Sequence, residues 1–318
     1  MKKIFFAVVL GFWFMNVFAQ GTVDLKLSKP KLYPFGIKSI DPSMPVLVDI
    51  DHDGDLDLFG LKANIGIGGG KIYFRENTGT DSKPVFAKPV INPFGLKSKD
   101  LATPVFVDID NDGDLDMFGL KDLSKLGIRE NVKGGRIYFR ENVGTPSKPE
   151  FAEPVMAPFG IKTKDLDTPV FVDIDNDGDL DLFGLKAASG EGGRVYFMEN
   201  IGTKSKPQFA KPVIAPFGIK TKDLSAPTLV DIDHDGDLDL FGVKSLFSGG
   251  GRVYFMENTG SRTKPEFAAP VYKPFGIKYK CASAPVFVDI DNDGDLDMFG
   301  FEATFGGGIF YYRENKAK

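Results

Sequence analysis

The sequence predicts an all-β protein, a five-bladed β-propeller of four-stranded antiparallel blades. A segment of the form Asp-Ile-Asp-His/Asn-Asp-Gly-Asp-Leu-Asp begins at Asp49, Asp108, Asp173, Asp231 and Asp289, with spacings of 59, 65, 58 and 58 residues. Around each copy lie short runs rich in Val, Ile, Phe and Tyr, bounded by Gly, Pro, Asn and Asp, which is typical of strands. Helical periodicity is missing, and Pro recurs too often for long helices.

Each repeat contains four candidate strands in a fixed order. The first is Pro-Val-Phe-Val-Asp-Ile from Pro104, and the second is Asp-Leu-Phe-Gly-Leu-Lys from Asp57. The third is Gly-Arg-Val-Tyr-Phe-Met-Glu-Asn from Gly193, and the fourth is Phe-Ala-Lys-Pro-Val-Ile from Phe86. Four strands in roughly 60 residues predict one propeller blade, longer than the ~40–45 residues of the commonest type. The recurring Phe residues are expected to pack between blades.

The two ends of the chain predict how the ring closes. The fifth copy stops at Asn315 without a fourth strand, whereas residues 26–36 align with 85–95, a fourth strand with no preceding Asp segment. Every element therefore occurs five times if the N- and C-terminal strands share one blade. The alternative is a larger ring that another chain completes.

Residues 1–19 are predicted to be a signal peptide. Lys2 and Lys3 precede an apolar run, and Val17-Phe18-Ala19 resembles a cleavage site. A membrane anchor is the alternative, but the run is short for the ~20 residues of a span. We therefore expect residues 20–318 to form the propeller, without a membrane span, in a secreted, periplasmic or cell-surface protein.

Composition argues against several functions. The net charge of −5 argues against a nucleic-acid partner, because phosphate neutralisation needs a basic surface. The single Cys excludes an internal disulfide, and only 2 His make a zinc or His-based catalytic centre improbable. Almost every carboxylate belongs to the repeat, so no catalytic constellation stands out, and we expect that the protein is not an enzyme.

The Asp-rich segments predict calcium loops of the form D-x-D-x-D-G-x-x-D. Alternate residues of a tight loop aim carboxylates inward, as Ca²⁺ requires, and Gly at the sixth position permits the sharp turn. The seventh position is expected to bind through its backbone carbonyl. The predicted metal residues are Asp49, Asp51, Asp53, Asp55 and Asp57; Asp108, Asp110, Asp112, Asp114 and Asp116; Asp173, Asp175, Asp177, Asp179 and Asp181; Asp231, Asp233, Asp235, Asp237 and Asp239; and Asp289, Asp291, Asp293, Asp295 and Asp297.

About five Ca²⁺ ions are therefore expected, one per repeat. The alternative is a plain acidic turn, but converging carboxylates repel one another without a cation. Mg²⁺ is disfavoured because it keeps its own waters, and Zn²⁺ because soft ligands are missing. His52 and His234 occupy the fourth loop position and are interpreted as solvent-facing turn residues.

These loops, together with the following Gly-x-Ile/Val-Tyr-Phe-x-Glu-Asn-x-Gly pattern, resemble the FG-GAP/VCBS-type repeats of integrin-α-like propellers. The resemblance covers nearly all of residues 23–318. It implies a calcium-stabilised propeller in a secreted or cell-surface setting, with calcium bound at the positions of Asp49, Asp51, Asp53, Asp57 and their repeats. The better-known rings of this family have seven blades, whereas five are counted here. The family includes adhesins, lectin-like binders and polysaccharide-degrading enzymes, so the resemblance selects no ligand.

Any ligand is expected at the end of the ring opposite the calcium loops, where connections vary most. The second repeat has its longest insert there, at 121–133, and variable loops on a rigid scaffold often bind ligands. The same end is expected to present a ring of lysines that could attract an anion: Lys38, Lys97, Lys162, Lys220 and Lys278. Three functions remain open: a binding or adhesion module for a surface glycan or protein, a structural scaffold, and a polysaccharide-active enzyme. Oligomeric state is not predicted.

Overall fold

The computed structural model of the chain describes residues 25–37, 45–63, 70–96, 104–120, 137–161, 166–186, 193–220, 222–223, 227–245, 251–277, 280–281, 284–304 and 307–317. It confirms the predicted fold class. The described residues form five antiparallel sheets, each with the four strands of a blade. The predicted signal peptide and the insert at 121–133 lie outside the described residues. Within those residues, no helix is long and apolar enough to cross a membrane.

The strands follow the predicted order. Blade one comprises Val46–Val48, Asp57–Ala63, Gly70–Arg75 and Val90–Ile91; blade two comprises Val105–Val107, Asp116–Leu120, Ile137–Arg140 and Val155–Met156. Blade three comprises Leu166–Val172, Asp181–Lys186, Gly193–Met198 and Val213–Ile214; blade four comprises Thr228–Val230, Asp239–Ser245, Gly251–Met256 and Val271–Tyr272. Two short strands, Lys222–Asp223 and Lys280–Cys281, pair with the third strands of blades three and four.

Blade five is built from both ends of the chain, as predicted. Its strands are Val286–Val288, Asp297–Thr304 and Gly307–Arg313, and Lys31–Leu32 completes the sheet. Lys31 pairs with Tyr312 and Leu32 with Tyr311, the register that Val90 and Ile91 have in blade one. A further bridge joins Leu27 to Asn315, equivalent to Asn77 and Phe86.

The fourth strands are shorter than the sequence predicts. In blade one, only Val90–Ile91 pairs continuously, and Phe86 forms an isolated bridge with Asn77. Pro89 lies between these two points and has no N–H to donate to a ladder, which explains the interruption. These strands form the exposed outer edge of each blade.

The core lies between blades, so packing closes the ring. Each of five buried clusters combines residues of two neighbouring blades. The cluster that joins blade five to blade one contains Phe299 and Tyr312 on one side and Leu47 and Tyr73 on the other. Since the first and last blades share a core, five blades of one chain complete the ring, not a larger ring shared between chains.

The Gly in each second strand is required by this packing. A Cβ on Gly60 would overlap the buried ring of Tyr73 on the neighbouring strand, and Gly119 has the same relation to Tyr138. In each Phe-Gly pair, the Phe ring is thus followed by a residue without a side chain. The space that a side chain would fill is taken by the Tyr ring of the neighbouring strand.

Each Pro-Phe-Gly element connects one blade to the next through a strained turn. Phe35, Phe94, Phe159, Phe217 and Phe275 have φ between 49° and 55°, a conformation that bulky residues seldom adopt. The ring of Phe94 packs 5.0 Å from that of Phe74, and the other four contact the equivalent third-strand aromatic ring. The backbone N–H of Phe209 also bonds the carbonyl of Phe159. Packing across the blade interface holds the strained turn in place.

Candidate metal centres

Each Asp loop connects the first strand of a blade to the second and turns in the same way. The residue at the fourth position has φ between 57° and 60° in all five loops, and Gly at the sixth has φ between 95° and 98°. His and Asn adopt positive φ more readily than most residues, which explains why His52, Asn111, Asn176, His234 and Asn292 occupy the fourth position. Two left-handed residues wrap the chain around the carboxylates.

The first, third and fifth positions converge in every loop. In each, one carboxylate oxygen per residue lies within 4.8 Å of the other two. The triplets are Asp49, Asp51 and Asp53; Asp108, Asp110 and Asp112; Asp173, Asp175 and Asp177; Asp231, Asp233 and Asp235; and Asp289, Asp291 and Asp293. Such a group can hold a metal ion, because it offers several oxygen ligands within one coordination sphere.

The ninth position lies beneath each triplet and is almost fully buried. Asp57, Asp116, Asp181, Asp239 and Asp297 are 1–2% exposed. The pKa of Asp57 is raised to about 8, mainly by burial and to a smaller extent by the charges of Asp51, Asp55 and Asp53. A hydrogen bond from the Asn77 N–H to Oδ1 partly opposes this shift. The Oδ2 atoms of Asp116 and Asp239 are buried without a hydrogen-bond partner among the described residues.

The seventh position contributes its side chain to the cluster as well as its backbone. Burial, followed by the charges of Asp53, Asp49 and Asp51, raises the pKa of Asp55 to about 6. Within the described chain, the Oδ1 atoms of Asp55, Asp114, Asp179 and Asp295 are buried without a hydrogen-bond partner. The sequence interpretation expected only the backbone carbonyl to matter here, whereas the structure places the carboxylate among the others.

The loops satisfy only part of their own hydrogen-bonding capacity. The Gly54 N–H donates to Asp49 Oδ2 at 3.2 Å, and the Asp55 N–H donates to Asp53 Oδ1 at 3.0 Å. One further oxygen of each triplet is buried and unpaired among the described residues: Asp51, Asp110 and Asp291 Oδ1, and Asp173 and Asp231 Oδ1. Buried carboxylate oxygens without donors are costly, and a divalent cation would satisfy them. The donor set therefore fits Ca²⁺, with oxygen ligands alone.

A repeated Asn supports each loop from the end of the third strand, a role that sequence reasoning missed. The Asn77 N–H donates to Asp57 Oδ1 at 2.7 Å, while its side-chain oxygen accepts from Gly79 and Val85 N–H groups. Equivalent Asn residues bond the ninth-position Asp in the other four blades. The available signal was the recurrence of Glu-Asn in every repeat.

The other predicted residues are only partly described. Lys220 is exposed, and the remaining four lysines of the predicted ring lie outside the described residues. His52 is half-buried, with Nδ1 3.2 Å from the carbonyl oxygen of Pro146 in the next blade. His52 therefore contacts a neighbouring blade, although the sequence suggested a solvent-facing residue.

Fold and site together define a class, the β-propellers whose blades each carry an Asp-rich loop between the first two strands. The model of the FG-GAP-like repeat matches residues 49–119, 173–242 and 231–300. The chain belongs to the FG-GAP-like repeat family. A comparison with curated proteins gave no match. One similar solved structure, described as "Crystal Structure of TcdB2-TccC3", has 14% identity and a TM-score of 0.44, covering 90% of this chain and 15% of that chain.

Proposed function

We propose that the protein is a secreted, Ca²⁺-stabilised propeller that serves as a binding or adhesion module for a surface glycan or protein. One observation supports the calcium part most directly: all five loops bring three carboxylates within 4.8 Å while leaving buried oxygens unpaired among the described residues. A cation at each loop would offset the mutual repulsion. Since each loop joins two strands of a blade, an ion there would stabilise the folded ring and not the unfolded chain.

Thermal unfolding with and without calcium tests this proposal. We expect the melting temperature to fall in chelator and to recover with Ca²⁺ more fully than with Mg²⁺. The double change Asp51→Asn and Asp53→Asn should remove about one ion, measured by elemental analysis, because both belong to one triplet. Glu153→Gln, at an exposed carboxylate outside the loops, serves as the control. An unchanged calcium stoichiometry in the double variant would refute the assigned site.

The proposed ligand surface lies at the opposite end from the loops, where the second strand turns into the third. In blade four, Lys244 is opposite Arg252 in the strand register, and both are exposed. The register also places Arg252 opposite Lys280, and Lys62 opposite Lys71 in blade one. Like charges opposite each other destabilise a sheet. Neither Lys244 nor Arg252 forms an ion pair within the described part of the chain.

These positions favour an anionic ligand such as an acidic glycan. Lys244 Nζ lies 5.6 Å from the ring centroid of Tyr272, which is 39% exposed, so cations and an aromatic surface are adjacent. Binding of the calcium-loaded protein to an array of neutral and acidic glycans tests the idea. Lys244→Ala with Arg252→Ala should weaken acidic glycan binding, whereas Lys264→Ala, at the loop end, should not. A blank array together with a strong protein partner would favour the scaffold function instead.

A further inference from the structure

A four-residue turn follows the repeated Asn of blades one to four and lies at the same end as the Asp loops. We call it the post-Asn turn: residues 80–83, 145–148, 203–206 and 261–264. All four are closed by the same reciprocal backbone bonds, such as Thr80 N–H to the Lys83 carbonyl at 3.2 Å and Lys83 N–H to the Thr80 carbonyl at 2.9 Å. The backbone is thus constant, but the second residue changes charge: Asp81, Pro146, Lys204 and Arg262.

Asp81 of blade one contacts the Asp loop of blade five. Its Oδ2 accepts a hydrogen bond from Asn292 Nδ2 at 3.1 Å, and Asn292 is the fourth residue of the blade-five loop. A carboxylate in this position adds negative potential to the fifth loop across the interface between blades five and one.

Lys204 occupies the equivalent position in blade three with the opposite charge. Its Cε and Nζ atoms lie 2.9 and 3.2 Å from the point where a Cβ on Gly178 would stand. Gly178 is the sixth residue of the blade-three loop, and its N–H donates to Asp173 Oδ2 at 3.1 Å. The ammonium group therefore lies beside the sixth residue of the blade-three loop, where its positive charge opposes the approach of a divalent cation to that loop.

Buried oxygens without hydrogen-bond partners are a second observation, besides the converging carboxylates, which indicates that the loops bind a ligand. Asp116 and Asp239 are each 2% exposed, and each has a buried Oδ2 without a partner among the described residues. In blade three, Asp173 and Asp179 each keep a buried Oδ1 that no described group satisfies.

We propose that two charges at the second position of the post-Asn turn, those of Asp81 and Lys204, set which loops bind divalent cations first and last. Asp81 strengthens binding at the fifth loop, and Lys204 weakens binding at the third. This inference rests on the proposed function, which assigns the loops to Ca²⁺. A unit charge several ångströms from a divalent ion changes its affinity about three- to tenfold in a solvated site. Calcium therefore fills the fifth loop first and the third loop last.

Calorimetric titration of the full chain with Ca²⁺ alone tests this order. Wild-type protein should bind about five ions in at least two affinity classes. Lys204→Ala should tighten the weakest class about three- to tenfold, and Asp81→Asn should weaken the tightest class by a similar factor. Lys206→Ala removes the same charge from the same turn and should leave both classes unchanged. The effects should shrink in high salt.

A third-loop knockout assigns the effect to its site. With Asp175→Asn and Asp177→Asn present, the effect of Lys204→Ala on calcium affinity should disappear. If Lys204→Ala and Asp81→Asn titrate like the wild type while about five ions still bind, the order is wrong and the proposed function survives. If the wild type binds no calcium, both fail.

Discussion

The blades fall into two groups at the last residue of the third strand, and the comparison shows what closes the ring. Blades one, two and five have a buried Arg there: Arg75, Arg140 and Arg313. Blades three and four have Met198 and Met256, which pack in the core. The Arg75 Nη1 donates to the Ala87 carbonyl at 3.0 Å, which ties the third strand to the outer segment. In blades three and four, which have Met instead of Arg, backbone hydrogen bonds such as that from the Ala210 N–H to the Glu199 carbonyl join the third strand to the outer segment.

In blade five, the buried Arg bonds an outer segment that comes from the other end of the chain. Arg313 donates through Nε to the Ser28 carbonyl at 2.7 Å and through Nη2 to the Leu27 carbonyl at 3.1 Å. In blades one to four, the outer segment follows the third strand along the chain and remains tethered to it. In blade five, that segment comes from the other end of the chain, so hydrogen bonds and packing alone hold it.

The same division appears in the Asp loops. In blades one, two and five, the fifth-position N–H donates to the first-position carboxylate, as from Asp53 to Asp49 at 3.1 Å. In blades three and four, it donates to the third-position carboxylate, as from Asp177 to Asp175 at 3.3 Å.

Removal of residues 25–32 should have the largest effect on stability. Without this segment, the third strand of blade five loses its outer partner, and the cluster between blades four and five loses contacts with Leu25 and Leu27. We expect a large fall in melting temperature and, through the open strand edge, self-association in light scattering. A synthetic peptide of residues 25–37 added in trans should restore part of the loss. A truncated protein as stable as the full chain would mean that the N-terminal segment does not close the ring.

Arg313→Met places in blade five the residue that blades three and four already tolerate. It should cost about 2–3 kcal/mol, because two charge-assisted hydrogen bonds to the untethered segment are lost. Arg75→Met should cost about 1 kcal/mol, because Ala87 remains tethered along the chain. Urea unfolding of both variants measures the difference. Equal losses of unfolding free energy in the two variants would show that the contribution of the Arg does not depend on whether the outer segment is tethered along the chain.

Much of the fold could be predicted from the sequence, because the number of blades and the closure of the ring depend on the order of the repeated elements. The repeats predicted the blade number, and the alignment of 26–36 with 85–95 predicted that the N-terminal strand completes blade five. The Asp spacing likewise predicted that the carboxylates of the first, third and fifth loop positions converge. The bond from Asn77 to Asp57 joins residues from different strands, and the contact of Asp81 with Asn292 joins blade one to blade five, so neither could be derived locally. The positive φ of Phe94 runs against its intrinsic preference and depends on packing between blades.

The metal-free protein should be more stable in mild acid than at alkaline pH, in both groups of blades. Burial raises the pKa of Asp116 and Asp181 to about 8, and of Asp114 and Asp179 to about 6, from an ordinary value of 3.8. A carboxyl whose pKa is raised by folding adds stability below its ordinary pKa, and this is lost as pH rises through the folded value. In chelator, the melting temperature should therefore fall between about pH 4 and pH 8.

Calcium should reverse this dependence, because it binds the deprotonated carboxylates. The gap between the melting temperatures with calcium and with chelator should widen steadily from pH 5 to pH 8. Asp57→Asn removes one of the buried carboxyls and should flatten the chelator profile, whereas the exposed Glu153→Gln should not. A chelator profile that rises with pH would contradict the idea that these carboxyls are held protonated without metal.

The smallest predicted effect concerns a hydroxyl that only blade five has. Tyr312 stands where the other blades have Phe74, Phe139, Phe197 and Phe255. Its hydroxyl donates to Asp297 Oδ2 at 2.9 Å, and this bond helps to keep the pKa of Asp297 at about 7, whereas that of Asp57 is about 8. Tyr312→Phe should cost about 1 kcal/mol in chelator, because it leaves a buried oxygen without a donor. It should cost less with calcium, since a cation at the fifth loop replaces the lost partner.

The reciprocal change Phe74→Tyr adds a hydroxyl near Asp57 and should stabilise only the metal-free protein. If Tyr312→Phe has the same cost with and without calcium, Asp297 does not share its Oδ2 between the hydroxyl and an ion, and the fifth loop binds its metal through the triplet alone.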